Sequence, residues 1–124
     1  MNNTEKYDLD LKLDFIALAE LLEKSKHELL SNAVVRAELL RDIKKREHEL
    51  TPPGGWDGSN QHARDWSKEE AFTSNEKLQE LYEILAEYQD KRLTIETEIE
   101  CLSDRRRAYE WYVRFLETKC VSND

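Results

Sequence analysis

Residues 78–120 read LQELYEILAEYQDKRLTIETEIECLSDRRRAYEWYVRFLETKC. Along this stretch apolar side chains recur at alternating steps of three and four: Leu78, Leu81, Leu85, Tyr88, Arg92, Ile95, Ile99, Leu102, Arg106, Tyr109, Val113, Leu116 and Cys120. Only Arg92 and Arg106 interrupt the row. A 3–4 repeat held in one frame over six heptads is the signature of a helix whose apolar seam faces another helix. The spacing predicts a helix over about 74–118. Thr73 followed by Glu76 offers a capping box at its start, and Ser67 with Glu70 offers a second start, for a short extra turn over Ser67–Phe72.

Upstream, the chain from Met1 to Thr51 contains neither glycine nor proline. Leu11, Phe15, Leu18, Leu22, Leu29, Ala33, Ala37, Leu40, Ile43 and Leu50 recur at helical spacing, flanked by Leu21, Leu30, Val34, Val35 and Leu39. This predicts a first helix over about 8–49 with a wider apolar stripe than one neighbour covers. Thr51-Pro52-Pro53-Gly54-Gly55 stops it, because neither proline can donate to the helical ladder. All three glycines and both prolines lie between Pro52 and Gly58, so one breaker cluster divides two long helical stretches. The expected architecture is all-α: a single domain over 1–124, with two long helices joined by a loop at 51–73 into an antiparallel coiled-coil hairpin.

Charge supports that direction. Residues 1–50 sum to −2, 51–73 to −2, 74–102 to −5 and 103–124 to +1. Folding back brings Arg41, Lys44, Lys45 and Arg46 beside Glu76, Glu80, Glu83 and Glu87. It also brings Asp10, Asp14, Glu20 and Glu23 beside Arg105, Arg106, Arg107 and Arg114. A lone hairpin is marginal for this length, so two hairpins are expected to pair into a helical bundle, a dimer being favoured. In the heptad frame Trp111 and Phe115 face away from the seam. Either the N-terminal tail covers them or they form the oligomer interface.

Composition excludes several classes. The 124 residues are 39% hydrophobic and 37% charged, with a net charge of −8. No apolar run is long enough to span a membrane, and the first residues carry no secretory pattern. Two cysteines, Cys101 and Cys120, build no disulfide framework, so a reduced, cytoplasmic setting is expected. The histidines His27, His48 and His62 sit in no Glu-x-x-His pair, which removes the usual di-metal pattern of helical bundles. His27, Glu98 and Cys101 come near one another on folding back, but Cys101 reads better as a small apolar filler. No catalytic trio is recognisable, and abundant carboxylates at helical spacing describe a solvated face. No catalytic residue, metal or cofactor is expected.

Two segments remain. The loop holds Trp56, Asn60, His62, Arg64 and Trp66, and some twenty residues are more than a hairpin turn requires. Tryptophan beside arginine is enriched at interface hot spots, so these five residues are candidates for binding a partner protein. The competing reading is that Trp56 and Trp66 plug the end of the hairpin, and one ring can serve each purpose. The second segment is Arg105, Arg106, Arg107, Tyr109, Trp111, Tyr112, Arg114 and Phe115. Cations interleaved with rings suit either an oligomer interface or single-stranded nucleic acid. The acidic balance of the chain works against nucleic acid.

Gly58-Ser-Asn60-Gln-His-Ala-Arg64 and Arg105-Arg106-Arg107-Ala-Tyr109-Glu-Trp111 resemble the Gly-x-Asn-x-x-x-Arg loop and Arg-rich aromatic helix of small helical-hairpin proteins from bacteriophage and mobile-element genomes. The likeness covers about half the chain. It implies an accessory role, in some such proteins during recombination on single-stranded DNA. The residues themselves point first to a non-catalytic protein that self-associates and captures a partner protein, with single-stranded nucleic-acid binding as the alternative.

Overall fold

The computed structural model describes the backbone of residues 3–122 and the side chains of residues 14–119. Three helices account for nearly all of it: α1 (Asn3–Leu50), α2 (Gln61–Thr73) and α3 (Glu76–Ser122). No strand occurs among the described residues. None of the helices is long and apolar enough to cross a membrane. The two long helices begin and end close to where the periodicity places them. The loop does not survive intact, because its second half is the 13-residue helix α2.

The residues fall into two compact units, one built from α1 up to Leu30 with α3 from Leu93 onward, the other spanning Ser31–Arg92. In the first, Leu18 and Leu22 of α1 bury against Leu102 of α3, with Ile99 and Tyr109 packed on the cluster. Arg106 holds a seam position without burying its charge. Its guanidinium carbon stands 5.9 Å over the Phe15 ring, and its Nε lies 3.4 Å from Glu110. The aliphatic stem covers the seam while the head stays wet.

In the second unit Leu78, fully buried at 0% exposure, and Ile43 form the apolar centre. The same unit also buries a polar residue, Asn32. Its Nδ2 donates to the Tyr88 carbonyl at 3.0 Å, and its Oδ1 accepts from Arg36 Nε at 2.7 Å. Further along, the Tyr82 hydroxyl donates to Glu47 Oε1 at 2.9 Å.

The seam of α3 follows the sequence pattern. From Leu78 to Leu116 its apolar members are buried or half-buried, and Arg92 and Arg106 are the exposed ones. The seam of α1 does not follow the expected stripe. Phe15, Leu18, Leu22, Ser25, Leu29, Asn32, Arg36, Leu39, Ile43, Arg46 and Leu50, spaced three and four, are all buried or half-buried, with Ala33, Val35 and Glu47 half-buried beside that row. Ala37 and Leu40, assigned to the seam from sequence, are exposed, whereas Leu39 turns inward. Four polar residues occupy seam positions, so an apolar-only reading slides onto the neighbouring row. Leu11, Asp10 and Cys120 lie outside the described side chains.

Cys101 is exposed rather than a core filler, because Leu102 takes the adjoining seam position. His27 is exposed and 3.9 Å from Glu23 on its own helix. Among the described residues no group of three or more His, Cys, Asp or Glu could hold a metal ion.

Asn32→Ala removes both side-chain hydrogen bonds and leaves a small void, which should cost about 1–3 kcal/mol in urea unfolding followed by circular dichroism. Tyr82 supplies a second test. Burial, then the hydrogen bond to Glu47 and its negative charge, push the phenol from 10.0 up to about 12. A raised folded-state value means that the contribution of this group to stability is complete below pH 10 and is lost as pH climbs toward 12. An ultraviolet titration should show one late tyrosine, and Tyr82→Phe should abolish that late step.

Candidate interaction site

The segment between α1 and α3 is ordered by caps and a strap. The Thr51 Oγ1 donates to the Glu47 carbonyl at 2.8 Å, closing the last turn of α1. Gly55 N donates to the Pro52 carbonyl at 2.9 Å, making a tight turn in which Gly55 takes a φ of 87°. The chain then runs along α2 as an extended strap. Trp56 meets Phe72 edge-to-face at 5.5 Å, and the Asp57 carbonyl accepts from Ser67 Oγ at 2.9 Å. Gly58 passes so close to α2 that a Cβ there would stand 2.7 Å from Arg64 N and 2.8 Å from Ala63. Its φ of 153° also excludes ordinary side chains.

Asn60 then starts α2, its Oδ1 accepting from Ala63 N at 2.8 Å. This is the favoured N-cap arrangement. At the other end Ser74 caps α2 through bonds to the Glu70 and Ala71 carbonyls. Asn75 caps α3, accepting from Leu78 N at 2.9 Å. The Thr73–Glu76 box expected from sequence is therefore displaced by Asn75, which stands immediately before the first helical residue. Ser67 starts nothing: it sits inside α2 and bonds the strap. Gln79 Nε2 donates to the Phe72 carbonyl at 2.9 Å, tying the end of α2 to the start of α3.

This arrangement separates the five loop candidates. Trp56 is half-buried against Phe72 and serves the packing role. Asn60 is the cap. His62 and Trp66, four residues apart, share one face of α2, whereas Arg64, two residues from each, points to the opposite side. Arg64 lies 3.5 Å from Gln61 Oε1 on its own helix. Trp66 remains 62% exposed. It borders an open groove of about 410 Å³ with Glu69, Glu70, Thr73 and Ser74. A second groove of about 370 Å³, lined by Asp65, Lys68, Phe72, Gln79 and Tyr82 among others, lies between α2 and α3. A third, about 330 Å³, brings Lys45 and Arg46 of α1 to Glu80 of α3. These include one of the charge pairings that the segment sums predict.

The other candidate surface belongs to α3. Trp111 is 73% exposed, Phe115 60% and Tyr112 40%. The N-terminal tail, the other candidate for covering these rings, lies outside the described side chains. Tyr109 differs from them, packing against the Leu18–Leu22–Leu102 cluster. Arg105, Arg107 and Arg114 are exposed. Arg107 is bonded to Asp104 within α3, and Arg106 takes Glu110 of the same helix. These partners come from one turn away, a source the charge sums do not resolve.

No protein-family model, no curated protein and no solved structure matches the chain.

Gly58→Ala should expose the dependence of α2 on the strap. The added methyl meets backbone atoms and the φ is unfavourable, so a loss of about 1–3 kcal/mol is expected. A red shift of tryptophan emission at temperatures below the main melting transition would report release of Trp56 from Phe72.

Proposed function

We propose that the two long helices form an antiparallel coiled-coil hairpin, that hairpins self-associate, and that the protein works by binding a partner protein without catalysis. The direction of pairing rests on contacts within each unit. In one, Phe15 meets Arg106 while Leu22 meets Leu102; in the other, Asn32 meets Tyr88 while Glu47 meets Tyr82. In both, numbers rise along α1 as they fall along α3. Strict 3–4 seams on both helices supply the coiled-coil pattern.

The single observation that carries the binding role is that two tryptophans on regular helices, Trp66 and Trp111, stand mostly in solvent. Exposed single leucines are ordinary, but large rings held on rigid elements are costly to leave in water and are the residues that dominate protein interfaces. Trp66 presents a ring edged by carboxylates and a shallow groove, which suits a partner with an apolar anchor and a basic rim. Trp111, Tyr112 and Phe115 with their arginines keep the second reading, single-stranded nucleic acid, in which rings stack bases and guanidinium groups meet phosphates.

The test separates the two tryptophans of the α1–α3 connection. Trp66→Ala should abolish partner capture in cross-linking while leaving helicity and sedimentation unchanged, since the ring has little packing to lose. Trp56→Ala should lower stability by about 1–2 kcal/mol through loss of the Phe72 contact. Equal capture by wild type and Trp66→Ala would sink the assignment of this face. Binding of a labelled oligothymidylate that weakens steeply with salt, and that Arg107→Glu with Arg114→Glu removes, would move the nucleic-acid reading to first place.

A further inference from the structure

Opposite its seam, α3 carries a second row of side chains at the same 3–4 spacing. Its early part reads Glu76, Glu80, Glu83 and Glu87, and its late part reads Ala108, Trp111, Phe115 and Thr118. Every one of these residues is exposed. The positions flanking the late row are Arg105 and Tyr112 on one side and Arg107 and Arg114 on the other, with no carboxylate among them. Each part covers roughly 15–17 Å of helix at 1.5 Å per residue.

The flanking charges decide what can sit on the aromatic row. Pairing it with the same row of another copy sets the Arg107–Arg114 flank against arginine in either direction, and like charges at flanking positions oppose association. Arg107 and Arg106 already hold Asp104 and Glu110, so an incoming anion competes for Arg107, while Arg105 and Arg114 stand exposed beside the row. What fits is an anionic helix face with some apolar surface beside it.

That chemistry is present in the chain itself. The Glu76–Glu87 row has no cation within it, and Ile84, 39% exposed, lies one residue from Glu83. The lysines beside the row have positions of their own. The Lys91 ammonium stands 5.1 Å over the Tyr88 ring, and Lys77 lines the groove in which Lys45 and Arg46 of α1 meet Glu80 and Ile84, so Glu83 and Glu87 are exposed carboxylates of the row outside that groove.

We infer that the Arg105–Phe115 face of one copy docks on the Glu76–Glu87 face of α3 in a second copy. The arginines reach the glutamates, while Trp111 and Phe115 cover the glutamate stems and Ile84. The contact joins two different surfaces of identical chains, and an antiparallel approach of the two α3 helices makes it twice. It rests on the self-association reading above and names the surfaces that produce it.

Sedimentation velocity at low and moderate salt, on wild type and on two charge-reversed variants, tests this. Wild type should associate, and salt should weaken the association. Arg107→Glu with Arg114→Glu should weaken it by at least about tenfold, and Glu83→Arg with Glu87→Arg should do the same. An equimolar mixture of the two variants should associate again, because each supplies the surface the other has reversed. All four positions are exposed, so helicity should be unchanged; if the glutamate pair lowers it, Arg107→Gln with Arg114→Gln carries the same test. Wild-type association that neither variant disturbs would overturn this docking mode and leave self-association standing. A wild type that stays monomeric at high micromolar concentration would overturn both. A monomer that binds oligothymidylate through the same arginines would assign the face to nucleic acid instead.

Discussion

The amide of Asn32, donating to the Tyr88 carbonyl from inside the α1 seam, sets which residues of α1 and α3 meet in the Ser31–Arg92 unit. An apolar seam tolerates sliding by a heptad, because one leucine layer resembles the next. A buried amide adds a requirement, since its donor must meet an acceptor on the facing helix or lose about 1–3 kcal/mol. The Oδ1 side is satisfied within α1 by Arg36, so the Nδ2 bond to Tyr88 is the one that depends on how the helices meet. With the register fixed, Glu47 comes opposite Tyr82 and the start of α3 is placed beside the end of α1. The start of α2 is then set by Asn60, and its end by Ser74 and the Gln79–Phe72 bond. Polar residues in a seam lower stability relative to leucine and gain specificity in return.

The same residue explains why half of the fold was legible in the sequence and half was not. The α3 seam is apolar at every position but two, so periodicity alone locates it. The α1 seam passes through Ser25, Asn32, Arg36 and Arg46, and Ala33, Ala37 and Leu40 lie on the adjoining row. A reading that follows apolar residues drifts onto that row. Helix α2 was legible only in its second half, as a short turn over Ser67–Phe72. Its less exposed positions are Ala63, Ser67, Ala71 and Phe72, and the first three are too small or too polar to register as an apolar stripe. Its local signal is Asn60 ahead of an uninterrupted run of helix-compatible residues, an asparagine that sequence alone reads as partner-binding rather than as a cap.

The candidate site was legible as composition but not as geometry. Two tryptophans in a long connection mark it as more than a turn. Which ring packs and which stays in water depends on Phe72, and nothing in local sequence ties Phe72 to Trp56. The strap makes that pairing: Gly58 lets the backbone close on α2, and Ser67 holds the Asp57 carbonyl. Without α2 the two rings would be equivalent members of a loop. With it, one becomes a structural contact and the other a surface feature.

The outer faces of α3 follow from an economy of the heptad pattern. A two-helix seam occupies only two of seven positions, and the positions opposite it are free to carry any polar residue at little cost to the fold. In α3 they carry glutamate from Glu76 to Glu87, a mixed stretch through Asp90, Thr94, Thr97, Cys101 and Asp104, then rings flanked by arginine. Exposed ion pairs contribute under about 1 kcal/mol each to folding, so folding does not select this division. Stability would be served as well by mixing the charges along the helix. Segregated charge with exposed rings at one end increases the cost of leaving both surfaces in water and rewards a contact that brings opposite segments together. The division of charge along the outer row of α3 is therefore a property that folding alone does not account for.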